Sequence, residues 1–327
     1  MVPVKNAPDI SVLMTTYNRA EILRKTLESM AILDMDGINV EFVVVDNNSS
    51  DNTKQVIKSF SDKLPIRYLF EPRPGKNCAL NKALNELNLG KIVAFTDDDV
   101  EPQKDWLKMI VAISNRWPDY KVFGGKQYLI YPKDNKVPRW AYQSSIQHWG
   151  YALHDWADSD TPYPYSFEHH PSGANLWIRR EIFEKEGQRY DESIGPRPFG
   201  RFPMGSEASF TLQLSKQGFR IMYSPDAVVG HRIQPSQLCS RYIMRKAFQH
   251  GKGLPHLRGI SYRELLDKNF MLWYLHRICA CGYWIVKYGF AKLSFRQYKR
   301  IEKSTDVLRW LAYHTESLRI ASKLRNN

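Results

Sequence analysis

Asp97, Asp98 and Asp99 stand side by side directly after the apolar run 92–96. Adjacent carboxylates repel one another, and burial sharpens the repulsion unless a cation offsets it. A hard divalent ion does this: Mg²⁺ typically takes one or two carboxylates and completes its shell with water and phosphate oxygens. A solvated acidic turn is the plainer reading of three aspartates alone. Two further polar clusters favour the metal, because they too follow apolar runs: Thr15, Thr16, Tyr17 and Asn18 after residues 11–14, and Asp46 and Asn47 after residues 41–45.

The elements that carry these clusters read as an α/β domain. Short β-branched runs at 11–14, 41–45, 66–70, 92–96 and 121–124 alternate with helical patterns, as in a parallel sheet with crossover helices. Asn18 can cap a first helix, with Glu21 three residues on and Ile22, Leu23, Leu27 and Met30 as its apolar face. Pro102 suits the first turn of a helix running towards Trp117. In an open, doubly wound sheet the crevice beyond the carboxyl ends of the strands is where ligands bind, and three polar clusters meet there. No G-x-G-x-x-G follows the first strand and no G-x-x-x-x-G-K-[ST] occurs, which disfavours a dehydrogenase or a P-loop kinase.

Beyond residue 125 the pattern changes. Residues 126–170 hold Pro132, Pro138, Pro162 and Pro164 among many aromatics, and read as loops with short strands. Helical spacing returns over 172–187 and 206–218, a short strand is expected at 220–224, and amphipathic helices run from Pro235 to the end.

Four ordered stretches carry a resemblance: 11–19 (SVLMTTYNR), 43–53 (VVVDNNSSDNT), 74–81 (PGKNCALN) and 95–99 (FTDDD). Together they resemble the successive signatures of family 2 glycosyltransferases of the GT-A fold. The likeness continues through Gly173-Ala174-Asn175, 205–218 and 225–231. It implies a mostly parallel α/β sheet whose half at 1–125 binds a nucleotide sugar. A catalytic and acceptor-binding half at 126–240 and a basic helical extension at 241–327 follow. It implies an inverting transfer from a nucleoside diphosphate sugar, with Mn²⁺ or Mg²⁺ as cofactor. Thr16, Tyr17, Asn18 and Asp46 match positions around the nucleotide, Asp46 accepting from a pyrimidine N–H, which points to UDP. Lys76 and Asn81 match positions near the nucleoside or donor sugar. Asp97 and Asp99 match the ends of the D-x-D element, Asp99 as metal ligand and Asp97 facing ribose or the metal shell, with Asp98 between them beside the nucleotide. His231 matches a histidine that completes the metal shell in some relatives.

The resemblance also implies a catalytic base in an acidic pair ahead of a helix that ends near Gly218. Here Ser206 replaces the first acid and Glu207 keeps the second. A helix-start glutamate favoured by the helix dipole is the plainer reading. Glu207 is nevertheless the one carboxylate between Glu192 and Asp226. Arg197, Arg201 and Arg232 are candidates for neutralising a diphosphate. Trp140, Trp149, Trp156, Trp177, Tyr142, Tyr151, Tyr163 and Tyr165 form either an acceptor-binding wall or a satellite core. His148, His154, His169 and His170 lack metal spacing.

The net charge of +13 resembles a nucleic-acid signature until it is located: the segment 241–327 holds 18 of the 47 basic and 5 of the 34 acidic residues, and the rest of the chain is balanced. No nucleic-acid module accompanies the charge, so nucleic acid is disfavoured as a partner. Residues 270–286 are apolar with Arg277 as their formal charge, flanked by Arg258, Arg263, Lys268, Lys287, Lys292, Arg296, Lys299 and Arg300. That pattern is short for a span, which takes about 20 apolar residues, and suits a helix lying on an anionic membrane surface. The alternative is a helical cap. Four scattered cysteines read as reduced thiols, and the first nine residues lack a secretory core, so a cytoplasmic protein, peripheral at the membrane, is expected. The partners expected are a nucleotide-sugar donor and a glycan or lipid-linked acceptor. The rivals are a catalytically silent sugar-nucleotide or glycan sensor, and a nucleotidyltransferase.

Overall fold

The computed structural model describes residues 7–134, 136–163, 170–197, 203–258, 270–292 and 297–325. Tyr165, His169, Arg201, Arg263, Lys268 and Arg296 lie outside them. The chain forms two compact units, one of residues 1–130, 153–199 and 206–232 and one of 131–152, 200–205 and 233–327.

In the first unit β1 (Ile10–Thr16) is the axis of the sheet. It pairs in parallel with β2 (Val40–Asp46) on one side and β4 (Ile92–Thr96) on the other, and β3 (Ile66–Phe70) extends β2. The order of winding therefore reverses between β1 and β4, and this is the switch point at which ligand crevices open. Thr16 lies opposite Asp46, and Met14 opposite Thr96, so the three polar clusters emerge along one edge. Beyond β4 come β8 (Leu176–Arg179), β6 (Val122–Ile130), β9 (Ile221–Arg232) and the short β5 (Val100–Pro102); β7 (Thr161–Pro162) also pairs with β9.

Both sheet faces are covered, which is why the central strands read as continuous apolar runs. Val12, Met14, Phe42 and Val44 face α1 (Ala20–Met30), α2 (Thr53–Lys58) and α4 (Trp106–Arg116). Leu13, Val43, Val45 and Phe95 face α3 (Lys76–Glu86) and α7 (Ser206–Lys216). Each such side chain contributes about 1.5–3 kcal/mol by leaving water.

Three expectations are corrected. Helix α1 starts at Ala20, and its first N–H is received by Asp51 Oδ2 at 3.0 Å rather than by Asn18. Asn18, at φ 50°, instead accepts from the Ser50 N–H at 2.7 Å, so the residue clasps two loops and leaves the cap to its neighbour. Pro102 does not open a helix; it ends β5 opposite Val229, an edge position where a missing N–H costs little. The segment 172–187 is strand β8 followed by the single turn α6 (Glu181–Glu184), because Leu176, Trp177 and Ile178 are all buried between neighbouring strands.

Asn175 shows why that strand wins. Buried completely, it accepts from the Trp106 indole N–H at 2.9 Å and donates to the carbonyls of Lys126 and Ala227 at 2.9 and 2.8 Å. The Ala227 carbonyl sits where β9 slips register against β6 at Gly125/Lys126, so one amide binds an irregularity that the ladder leaves unpaired.

The second unit comprises α5 (Ser144–Tyr151), α8 (Ser240–Arg258), α9 (Phe270–Lys292) and α10 (Gln297–Arg325). α8 approaches α10 closely at Gly251, where a Cβ would lie 2.1 Å from the Arg309 carbonyl oxygen. α9 packs on α10 through Trp284 stacked on Trp310 and Arg277 over the ring of Tyr313, while Trp273 on α9 itself also lies against the guanidinium. Its other face exposes Leu272, Leu275, Ile278, Tyr283, Ile285, Val286 and Phe290. No helix among the described residues is long and apolar enough to cross a membrane. Of the aromatics read as a sugar wall, Trp140, Tyr151, Tyr163 and Trp177 are buried core residues, with Trp177 stacked on Phe123.

Candidate active site

The aspartates after β4 divide between two cations. Arg19, the residue before α1, donates from Nη1 to Asp98 Oδ1 at 2.5 Å and from Nη2 to Asp99 Oδ2 at 2.6 Å. Thr16, the last residue of β1, donates to Asp98 Oδ2 at 2.7 Å. Thr26 on α1 donates to the Asp98 carbonyl at 2.8 Å and fixes the turn itself. Asp98 is thus buried with both oxygens engaged inside the protein. Burial, aided by the like charges of Asp99 and Asp97, pushes it up to about 6 against the pull of Arg19 and Thr16. Burial acts on Asp99 in the same sense, but His231 and Arg19 outweigh it and hold that carboxyl well below the usual range.

The pairing of β5 with β9 brings His231 to this cluster. Val100 lies opposite His231, which sets His231 Nε2 3.5 Å from Asp99 Oδ1. Two ligands of one ion bonded at about 2.1 Å lie about 3 Å apart, so an oxygen and an imidazole nitrogen at this spacing suit a shared divalent cation. Among the described residues no third histidine, cysteine or acid joins them, and the rest of such a shell falls to phosphate oxygens and water. Asp97, read from the sequence as facing ribose or the metal shell, has one oxygen bonded to a lysine.

Its Oδ1 receives Lys76 Nζ at 2.8 Å, and the same ammonium donates to Glu207 Oε1 at 2.7 Å. Lys76 opens α3 after Gly75, whose φ of 135° suits glycine; its backbone N–H donates to the Pro196 carbonyl at 3.0 Å. The Gly75 N–H donates to Asn47 Oδ1 at 2.8 Å, so Asn47 ties the loop after β2 to the start of α3. Glu207 lies in the first turn of α7 with its carboxylate against Gly173, where any Cβ would sit 2.2 Å from Oε1. Burial opposes charge on Lys76 and Glu207 alike. The charges of Asp97 and then Glu207 outweigh burial for the lysine and raise its pKa, and the charge of Lys76 outweighs it for the glutamate and lowers its pKa.

Asp46, buried at the end of β2, accepts from the Ser49 N–H at 2.9 Å and from the Tyr68 hydroxyl at 3.2 Å, one bond on each oxygen. A carboxylate oxygen has two lone pairs, so each retains capacity for a ligand. Tyr17 is half-buried beside this edge of the sheet. Asn81 bonds none of Asp97, Asp98, Asp99 and Glu207: it donates to the Tyr190 carbonyl at 2.9 Å and to Glu192 Oε1 at 3.2 Å and accepts from the Tyr190 N–H at 2.9 Å, clasping the segment before Gly195. Of the arginines read as diphosphate neutralisers, Arg232 binds Ser29 Oγ and Glu101 Oε2 at 2.7 and 2.8 Å, and Arg197 donates to the Glu192 carbonyl. The residue that sequence reasoning missed is Arg19. Its signal is charge arithmetic, since it is the one cation in the stretch 11–19, directly after the first polar cluster.

The glycosyl transferase family 2 model matches residues 11–187, and the chain belongs to that family. It is 26% identical over 250 residues to glycosyltransferase AglE of Haloferax volcanii, covering 75% of this chain and 73% of the relative. Over 111 residues it is 36% identical to the GalNAc(5)-diNAcBac-PP-undecaprenol beta-1,3-glucosyltransferase of Campylobacter jejuni, covering 33% of this chain and 35% of that one. Mannosyltransferase PcManGT from Pyrobaculum calidifontis, solved with GDP-Man and Mn2+, superposes with a TM-score of 0.58 at 20% identity, covering 96% of this chain and 88% of that one. The fold is of GT-A type and the protein is a glycosyltransferase.

Replacing Arg19 by methionine is expected to cost about 2–3 kcal/mol at neutral pH, below the full cost of breaking a buried pair because the Arg19 side chain is 32% exposed. Asp98, already above its unfolded value, then rises further. The folded protein binds that proton where the unfolded chain does not, so stability falls as pH climbs from about 4 to 7. Urea denaturation of both proteins at pH 5 and pH 8 should show a midpoint gap that widens at the higher pH.

Proposed function

We propose that this protein is a metal-dependent, inverting glycosyltransferase that moves a sugar from a UDP-sugar to an acceptor hydroxyl of a lipid-linked glycan. The observation that carries the reading is the meeting, at one sheet edge, of the Asp99–His231 pair with the Glu207 carboxylate held at Lys76, which is also bonded to Asp97. Asp99 and His231 hold the divalent cation in this reading, as the Mn2+ complex of PcManGT supports by analogy. When bound, the ion supplies Lewis-acid stabilisation of the charge that develops on the departing diphosphate. Thr16, Tyr17 and Asn18 line the nucleotide side, Asp46 accepts from the uracil N–H, and Lys76 and Asp97 adjoin the donor. Asp98 and Asn81 act one step removed, by fixing Arg19 and the 190–195 segment. PcManGT was solved with GDP-Man, so the UDP assignment rests on the remaining acceptor capacity of Asp46.

Glu207 is the base. It takes the proton of the acceptor hydroxyl as that oxygen bonds to the anomeric carbon, while the bond from that carbon to the diphosphate oxygen breaks and its electron pair leaves with the phosphate. Attack opposite the leaving group inverts the centre. Gly173 gives the carboxylate room, and Lys76 balances its charge. Glu207→Gln is expected to lower turnover about 100-fold or more without weakening UDP binding. Weakened binding with turnover reduced in proportion would make Glu207 a binding residue instead. Asp99→Ala should abolish metal-stimulated transfer and weaken Mn²⁺ binding, read by calorimetry in the presence of UDP, by more than about ten-fold. Full activity in EDTA would overturn the metal assignment.

The acceptor class follows from α9 and from the undecaprenol-linked substrate named for the Campylobacter jejuni relative. Arg277, the formal charge of the apolar stretch, is turned towards α10, where its Nη1 lies 3.1 Å from His314 Nδ1. The outward face is left apolar over a helix of about 35 Å. With Lys287 on α9 and Lys299 and Arg300 exposed at the start of α10, it suits a lipid surface carrying anionic headgroups. The protein is expected to sediment with anionic liposomes at low salt, and a variant with Ile278, Ile285 and Phe290 replaced by aspartate is expected to stay in the supernatant. If the native chain ignores anionic vesicles, the lipid-surface reading falls.

A further inference from the structure

The two cations at the site differ in what they can do. Arg19 is fixed: its planar fork makes one bond to Asp98 and one to Asp99, and no rotation of the guanidinium keeps both. Lys76 is a compact charge on a four-carbon stem, and its ammonium spans Asp97 and Glu207 from a backbone held on both sides, through its own N–H to Pro196 and through the Gly75 N–H to Asn47. A swing of the Lys76 side chain therefore moves a positive charge without moving the helix.

The charge count makes such a swing consequential. One ammonium serves two carboxylates, and Asp98 and Asp99 continue the acidic run from Asp97. A diphosphate arriving beside Asp99 brings further negative charge, and Lys76, already at Asp97, can turn towards it. Glu207 in its present pairing is a weakened base, because the ammonium 2.7 Å from Oε1 stabilises its negative charge and lowers its affinity for a proton. The other titratable groups that act on or sense Glu207 are His170, which adds a weaker stabilisation of its charge, and Tyr190, whose hydroxyl burial pushes well up.

We propose that Lys76 is a charge latch: in the donor-free protein it ties up Glu207, and the donor diphosphate draws it away and releases the carboxylate to deprotonate the acceptor. The latch rests on the reading of Glu207 as base and of the crevice as a nucleoside diphosphate site. It orders the reaction, since the base is armed only after the donor is seated. Lys76 is a positioning residue in this scheme and exchanges no proton.

The latch implies that Glu207 and the diphosphate compete for one ammonium, which binding measurements read without turnover. UDP and GDP would be titrated calorimetrically in magnesium buffer into the native protein, E207Q, K76M, the double variant K76M/E207Q, and K76R/E207Q. With the competitor neutralised, E207Q is expected to bind the preferred nucleotide about five-fold or more tighter, within the usual range of coupling between contacting residues. The gain should vanish when E207Q is made in the K76M background and return in K76R/E207Q, which keeps the cation. An equal gain in the K76M background would reduce the effect to relief of charge repulsion and overturn the latch; so would the absence of any gain. Failure of both nucleotides to bind the native protein would remove the diphosphate reading and the latch with it. If E207Q instead turned over normally while the coupling held, the base assignment would fall and the latch with it, leaving a competition for one ammonium that arms nothing.

Discussion

Four carboxylates drawn to one edge of a sheet are the constraint from which the rest of the site follows. Asp97, Asp98, Asp99 and Glu207 are all at least two-thirds withdrawn from water, and buried charge is tolerated only where it is paired and hydrogen-bonded. Two cations answer four acids, and the shares are unequal in kind. Arg19 neutralises by rigid geometry and belongs to the frame. Lys76 neutralises by position and can be recruited away. Two cations leave two of the four charges unbalanced, and Asp99 turns its other oxygen towards His231; in the function proposed above a divalent ion supplies the balance there.

Holding like charges this close requires a stiff surround, and most of the polar side chains near the crevice provide it. Thr26 fixes the aspartate turn from α1, Asn47 joins the loop after β2 to the start of α3, Asn18 and Asp51 lock the loops after β1 and β2 together, and Asn81 grips Tyr190. Each bond alone is worth about 1 kcal/mol. Their combined effect is to fix where the charges sit, and placement to within a fraction of an ångström decides whether a charge pair is favourable.

How far the sequence disclosed this arrangement follows from the range of the interactions. Strands β1 to β4 were legible because burial on both faces leaves short apolar runs with polar residues at their carboxyl ends. The acidic triplet stood out as chemistry because adjacent carboxylates are costly to bury, whereas Glu207 stood out through the family resemblance and as the one carboxylate between Glu192 and Asp226. What was hidden lies between distant positions: Arg19 meets Asp98 across 79 residues and Lys76 meets Glu207 across 131. No local pattern encodes such pairs. β8 was hidden for a different reason, since Leu176, Trp177 and Ile178 continue into a helical turn at Glu181, and short apolar runs read equally well as either period. Asn81 sits in a signature stretch and bonds the segment around Tyr190, a contact that the motif alone does not disclose.

Helix α9 inverts the usual logic of a surface helix. On such a helix charged residues point to water and the apolar stripe points inward. Here the half-buried positions Trp273, Arg277, Trp284 and Tyr288 recur at intervals of four and seven, so the helix does have a defined inner face, and the arginine is on it. Cation–π contacts with Trp273 and Tyr313 make that placement tolerable. The outer face then holds Leu272, Leu275, Ile278, Ile285, Val286 and Phe290, with Tyr283, His276 and Lys287 among its exposed polar groups. A contiguous apolar surface of this kind is unfavourable in water and favourable against an apolar partner. Linear hydropathy cannot separate this case from a helix with its arginine outside, because both have the same composition. The direction of one guanidinium distinguishes them, and it is the observation on which the proposed contact with a lipid surface stands.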